Sequence, residues 1–327
     1  MADTQTPPPG EHDLPPNRGV MLTRMGENGA IEVRDIDMPA PEDDGIVIRV
    51  AAASVNPVDW KIRDGEAPFL EDDDLPAPLG RDCAGTIALK GPRAHNMIRQ
   101  GDRVMAHIGD FKRGGQARFV KASAAEFVAV PDAVETLDAA AMGLVGMTAY
   151  QGLFEQGHLE AGQTVLIHGA AGGVGHVAVQ LARLKGATVY ATCSGDDIAY
   201  VESLGAAKAI DHKAARFEDE VENVDLVFDL IGGEVQERSF AVIRDGGTLI
   251  TTLAENDTSE APSGIRAESY LAKPNTKQLE EILGYMAAGK LKIEIARTYP
   301  IEDAQEAYRQ DEEGHDRGKI MLAMEEP

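Results

Sequence analysis

The sequence predicts an α/β fold, a doubly wound parallel sheet with a second, β-rich unit beside it. Three observations carry that reading. Residues 165–175 read VLIHGAAGGVG, a short apolar run that breaks into glycines and resumes with helical periodicity. Val174, Val177, Ala178, Leu181 and Ala182 then fall at i, i+3, i+4, i+7 and i+8, the apolar stripe of an amphipathic helix. Further apolar runs at 189–192, 209–211, 224–229 and 247–251 alternate with helical segments, the order that a parallel sheet with crossover helices requires.

At the turn, Gly172 and Gly173 let backbone approach an anion with no Cβ in the way, and Gly175 lets the helix lie close to the sheet. The first N–H groups of that helix point at the anion. Ala170 stands where the first glycine of G-x-G-x-x-G is usual, leaving A-x-G-x-x-G, which alone also suits a plain tight turn. The repeated strand and helix units that follow make it the pyrophosphate turn of a Rossmann domain. The next strand ends at Cys193 and Ser194, the latter 19 positions beyond Gly175, where such a fold reads the adenosine ribose. An acid there accepts from a free 2′-hydroxyl and repels a 2′-phosphate. Ser194 is neutral and can donate to a phosphate, which tilts the cofactor toward NADPH. Asp196 and Asp197 follow at once with no Lys or Arg nearby, so NADH is not excluded. His212 leans over the same pocket, favouring a phosphate when protonated, or else faces solvent at a strand end.

A chain of 327 residues has room for two domains with proper cores. At 43% hydrophobic and 26% charged it reads as soluble and globular; it shows no run of membrane-spanning length and no charged-then-apolar leader, so a cytoplasmic protein is expected. Cys83 and Cys193 are the only cysteines, too few for a four-cysteine zinc site and in keeping with a reducing compartment. The net charge of −24, from 31 basic and 55 acidic residues, excludes nucleic acid and anionic membrane as partners. It also means that a polyanionic cofactor must find a local positive site inside a negative field. Adaptation to high salt and ordinary acidic solubility both account for the charge.

Residues 1–18, with five prolines among polar side chains, are expected to form a disordered arm. Strand patterns follow at 20–22, 31–33, 46–50, 85–89, 103–106 and 127–130, a β-rich unit preceding the nucleotide domain. A helical run at 279–288 and a strand at 293–296 are expected to return the chain to that first unit. The resulting division is 19–132 with 272–327 for the β-rich domain and 133–271 for the nucleotide domain.

Several segments together resemble a known family: SVNPVDWKIRDG (54–65), LGRDCAG (79–85), GDRV (101–104), LVGMTAY (144–150), the glycine turn, and GHDRGK (314–319). In order and spacing they are similar to the medium-chain dehydrogenase/reductase superfamily, in particular its zinc-free quinone oxidoreductase branch, which includes plant-type enone reductases. The resemblance runs from about Gly19 to the C-terminus. It implies a GroES-like β-barrel catalytic domain on a Rossmann domain, substrate in the cleft between them, and a homodimer joined through the nucleotide-domain sheets.

Zinc-dependent relatives place a Cys where this chain has Asn56 and a His where it has Arg81; amide and guanidinium are poor zinc ligands, so no catalytic metal is expected. Hydride transfer without a Lewis acid favours electron-poor acceptors, quinones or α,β-unsaturated carbonyls. The resemblance also implies cofactor contacts. Thr148 meets the nicotinamide side, Gly172, Gly173, Val174 and Gly175 hold the pyrophosphate, and Ser194 and His212 lie near the adenosine phosphate. Ile231, Gly232 and Leu253 wrap the nicotinamide, and Lys319 approaches the phosphates or is a solvated surface lysine. Many relatives have a Tyr at the His212 position and a Lys or Arg just past Ser194, where this chain has Ile198 and acids.

For chemistry, Asn56 is the candidate hydrogen-bond donor to a substrate carbonyl, and Lys61 the candidate to stabilise an enolate or protonate it. Lys61 is equally readable as a rim charge, water competes as the proton source, and Asp59 reads as a turn anchor. The acidic stretch 66–78 would sit at the cleft mouth and disfavour anionic substrates, or is simply a solvated face. The function so read is an NADPH-dependent reductase. A low-turnover, crystallin-like NADPH-binding protein is the alternative, and a zinc alcohol dehydrogenase is disfavoured by its ligand positions.

Overall fold

The computed structural model describes residues 14–95, 98–253, 258–259, 261–314 and 316–324. Its first half is built from β1 (Arg18–Arg24), β2 (Ala30–Asp35), β3 (Ile46–Val55), helix α1 (Pro57–Arg63), β4 (Ala77–Pro78), β5 (Asp82–Lys90), β6 (Arg103–His107), β7 (Phe119–Ala122) and β8 (Phe127–Ala129). Alternation decides which face of each strand is buried; on β3 the run Ile46, Val47, Ile48 and Val50 is fully packed while Arg49 is exposed. Most of these strands pair antiparallel. Helix α2 (Thr136–Tyr150) then crosses to the second half, continuing as one π-helical segment over Gln151–Gln156. Buried along most of its length, α2 packs on β3, β5 and β6 of the barrel and on the helices beyond.

The second half runs β9 (Thr164–Ile167), α3 (Gly175–Lys185), β10 (Thr188–Cys193), α4 (Ile198–Leu204), β11 (Lys208–Asp211), β12 (Val224–Asp229), α5 (Glu234–Ser239), β13 (Ile243–Thr251) and β14 (Arg266–Ser269). All six strands are parallel, in the order β11-β10-β9-β12-β13-β14. That is the Rossmann order, and it places a switch of direction between β9 and β12, at whose carboxyl ends ligands bind. The α3 stripe expected from sequence is buried at Val177, Ala178, Leu181 and Ala182; each large apolar side chain so covered is worth about 1.5–3 kcal/mol.

The chain closes with α6 (Thr276–Ala287), β15 (Ile295–Pro300), α7 (Ala304–Glu313) and β16 (Lys319–Ala323). β16 pairs antiparallel with β3 and parallel with β15, so the last strand belongs to the barrel sheet. Helix α6 sits where the halves meet: Leu279, Ile282, Leu283 and Met286 pack in the core that holds α2, and the helix also contacts β8 of the barrel. One correction concerns the arm. Its residues 1–13 lie outside the described residues, but Leu14 packs on the Val47, Ala88 and Phe119 cluster. Asn17 is buried and bonds the Phe119 backbone in both directions, at 2.9 and 3.1 Å, so the packed chain begins at Leu14 rather than at Gly19.

Candidate active site

The turn after β9 is shaped by two glycines for different reasons. Gly169 has φ +70°, a backbone region that side chains disfavour. A Cβ on Gly175 would stand 2.1 Å from the Gly169 carbonyl oxygen, so only glycine lets α3 start against β9. The turn is braced from behind by His176, fully buried in the first turn of α3. Its Nδ1 sits 2.8 Å from the Gly172 oxygen, which can only accept, and its Nε2 takes the Glu294 N–H at 3.1 Å. These partners fix the neutral Nδ1–H tautomer. Burial pushes its pKa down to about 4, so it carries no charge at neutral pH.

Residues 317–319 run along this turn and fasten it on three sides. Arg317 donates to the Asp197 carboxylate at 2.6 and 2.8 Å and lies 4.4 Å over the Tyr200 ring, just beyond the end of β10. Gly318 bridges to Gly172, and its N–H donates to the Ala171 oxygen at 3.2 Å. Lys319 is buried; its ammonium donates to the Val55 oxygen at 2.6 Å and to Asn56 Oδ1 at 2.7 Å. Its stem lies against Gly173, where a Cβ would come within 2.9 Å of Lys319 Cδ. Lys319 is therefore no solvated surface lysine.

At the adenosine end, Ser194 and exposed His212 stand close together, His212 donating its backbone N–H to the Cys193 oxygen at 3.1 Å. The Asp211 carboxylate lies against Gly195, 2.7 Å from where a Cβ would be. At the opposite end, Thr148 donates its hydroxyl to the Leu144 oxygen at 2.8 Å, and the hydroxyl of half-buried Tyr270 donates to the Thr148 oxygen. Asp229 accepts the N–H groups of Ile231 and Gly232 at 2.9 and 3.0 Å, shaping the loop after β12. That loop holds Ile231 over Gly169 with 54% of its surface exposed. Leu253, half-buried, follows β13 and donates its N–H to Thr251 Oγ1 at 3.2 Å. Thr148, the 172–175 turn, Ser194, His212, Ile231, Gly232 and Leu253 all lie at the carboxyl ends of the central strands or on the helix facing them.

The barrel side corrects one expectation. Asn56 is buried, and its amide donates to Ser54 Oγ at 2.9 Å and Asp82 Oδ1 at 3.1 Å, while its oxygen accepts from Lys319. With both protons taken, it has none left for a substrate carbonyl. Asp59 does anchor the start of α1, accepting the Asn56 N–H at 3.0 Å. Its other oxygen has no partner, and burial pushes its pKa up to about 7. Lys61 is half-exposed on α1, 5.9 Å from the Trp60 ring. Arg81 is buried, donates to the Ile108 and Asp110 oxygens, and lies 3.9 Å from the Phe111 ring. Phe69 stacks on that ring at 4.0 Å, so Phe111 is layered between the two and the acidic stretch is pinned to the 108–113 loop.

Four site residues had no role in the sequence reading. Asp82 and Arg317 sit inside the resemblance motifs, a signal that was present but unassigned. Tyr270 and Gln116, which bonds Ser54, Asp59 and Tyr308, had none.

Residues 42–152 match the model of the alcohol dehydrogenase GroES-like domain, and 204–322 that of the zinc-binding dehydrogenase family. The chain is 31% identical over 316 residues to a chloroplast envelope quinone oxidoreductase homolog of Arabidopsis thaliana, covering 91% of this chain and 95% of that one. The chain belongs to the medium-chain dehydrogenase/reductase superfamily. A chloroplastic NADPH-dependent alkenal/one oxidoreductase of the same plant is 31% identical over 300 residues, 88% of this chain and 74% of its own length. The quinone oxidoreductase of Coxiella burnetii superposes with a TM-score of 0.88 at 30% identity, covering 94% of this chain and 99% of that one.

The cradle of this medium-chain reductase fits a dinucleotide: glycines where side chains would collide, a helix N-terminus, and Lys319 behind it. The zinc of the matched family's description fits less well. Asn56 and Arg81 offer an amide already bound to an ammonium and a guanidinium, and no three His, Cys, Asp or Glu side chains cluster for a metal among the described residues.

Proposed function

We propose that this protein is an NADPH-dependent, zinc-independent reductase of quinones or α,β-unsaturated carbonyls. The observation that carries the reading is the 172–175 cradle joined through Gly318 and Lys319 to a barrel centre where Asn56, its oxygen bound to the Lys319 ammonium, and the Arg81 guanidinium stand where a metal would need donors. When bound, the cofactor supplies hydride, two electrons with one proton, and water supplies the second proton. The protein's part is proximity and electrostatics. The turn and the third N–H of Lys319 hold phosphate, Ile231 and Leu253 cover the ring, and Asn56 orients Lys319 instead of touching substrate. Lys61 remains the candidate for charge developing on the acceptor: Lys61→Ala lowers turnover with NADPH affinity near normal, and unchanged turnover removes it.

Arg317 supplies the cation that the sequence after Ser194 lacks, which favours NADPH, with NADH kept open by Asp197 and Asp211. The outer edge of β14, unpaired among the described residues, is read as the homodimer contact, and two buried free thiols suit the cytoplasm. Following NADPH and NADH oxidation against a panel of quinones and enones tests the reading. Turnover with both acceptor types absent, but tight NADPH binding, would favour the low-turnover binding protein instead.

A further inference from the structure

Asp82 is buried at the start of β5 and receives three hydrogen bonds from two different parts of the fold. Ser54 Oγ donates to Oδ1 at 2.5 Å and Asn56 Nδ2 at 3.1 Å, both from the end of β3 and the start of α1. Oδ2 takes the backbone N–H of Leu144 at 2.7 Å, from the middle of α2. The carboxylate reaches that helix only because residue 143 is glycine; a Cβ there would stand 2.5 Å from Asp82 Cβ. One turn on, the Leu144 oxygen holds the Thr148 hydroxyl at 2.8 Å. On its other side, Asn56 passes the connection to Lys319, whose stem lies on Gly173 of the phosphate turn.

The atoms therefore form a continuous line from the phosphate turn to Thr148: Lys319, Asn56, Asp82, Leu144. We infer that Asp82 is a positioning residue for hydride transfer, setting the place of Thr148 on α2 relative to the phosphate turn. The inference rests on the reductase reading above. It differs from a packing role because the carboxylate serves three donors at once. An asparagine has one acceptor oxygen for those donors and no charge to set against Lys319, so the line breaks without any change of volume.

The experiment pairs Asp82→Asn with Thr148→Val, which removes only a hydroxyl, in a double-mutant cycle. Single-turnover hydride transfer from NADPH deuterated at C4 is the activity readout, with the NADPH dissociation constant measured beside it. Asp82→Asn should slow transfer about 10-fold, raise the isotope effect, and leave NADPH affinity within about threefold; a factor of ten corresponds to about 1.4 kcal/mol. The two substitutions should be non-additive. In the protein without cofactor, hydrogen exchange over residues 143–149 should quicken in Asp82→Asn while the rest of the Rossmann sheet keeps its protection. Additive effects, an unchanged isotope effect, or unchanged exchange at 143–149 would each overturn the inference. A wild-type protein that binds NADPH but transfers no hydride to any acceptor would overturn the reductase reading, and the exchange measurement would still report whether Asp82 holds α2.

Discussion

At the scale of single residues, the site fixes its charges by pairing: Lys319 is buried on Val55 and Asn56, and Arg317, over a third exposed, is held by Asp197. Arg317 is a cation beside the loop that follows Ser194, committed to Asp197 and stacked on Tyr200. Its pairing holds it in place rather than neutralising its use, since a guanidinium has five donors and two go to Asp197. Arg317→Gln should lower kcat/KM for NADPH about 10-fold and leave NADH nearly unchanged, the size of one charge-assisted contact; Ser194→Asp should shift preference the same way. Steady-state kinetics with both coenzymes checks this, and equal losses would mean that Arg317 acts through α4 alone. Asp59 gives a pH prediction. Its pKa rises from the usual carboxylate value to about 7 by burial, so the folded chain binds that proton more tightly than the unfolded one. Stability from this group is complete below about pH 4 and is lost as pH climbs through 7. Asp59→Asn should flatten that slope, and midpoints of thermal unfolding for the two proteins at pH 5 and 8 should diverge; parallel curves would refute it.

At the scale of elements, the segment entering β16 does more than its length suggests. Gly318 has φ +85°, and a Cβ there would lie 2.3 Å from the Glu294 oxygen. Gly318→Ala should push residues 317–319 off the turn, weakening NADPH binding at least about 10-fold while the barrel keeps its fold, since strain of this kind costs about 1–3 kcal/mol. Equilibrium titration and circular dichroism together check it, and intact binding would show the strap to be incidental. The glycine turn and the α3 stripe were legible in the sequence because local rules make them: glycine for close approach, a 3.6-residue repeat for a buried face. The same locality explains what was hidden. Asn56 looked like a free amide because Asp82 lies 26 residues away and Lys319 263 away. The helix at 276–287 was legible as a helix, but its partner was not, since apolar periodicity shows that a face is buried without naming what covers it. Leu14 and Asn17 sat in a proline-rich stretch whose composition argued for disorder, and only the distant Phe119 backbone shows otherwise.

At the scale of the whole molecule, a net charge of −24 surrounds a site built to take a polyanion. The local cations that receive it differ in exposure: Lys319 is buried and unscreened, whereas Arg317 is over a third exposed. Approach must therefore run against a repulsive field, while the bound state rests mainly on short contacts inside it. Raising ionic strength from about 0.05 to about 0.5 M shortens the screening length from roughly 14 to roughly 4 Å, which removes long-range repulsion and spares the buried contact. The association rate of NADPH should therefore rise with KCl, about threefold or more over that range, the reverse of what a basic nucleotide-binding surface shows. The dissociation rate should change less. The same screening of excess surface acids should raise the thermal midpoint. Stopped-flow binding across a KCl series, with a sulfate-free buffer so that no anion competes at the turn, separates the two rates. An association rate that falls with salt would mean that local positive potential at the cleft already outweighs the charge of the whole.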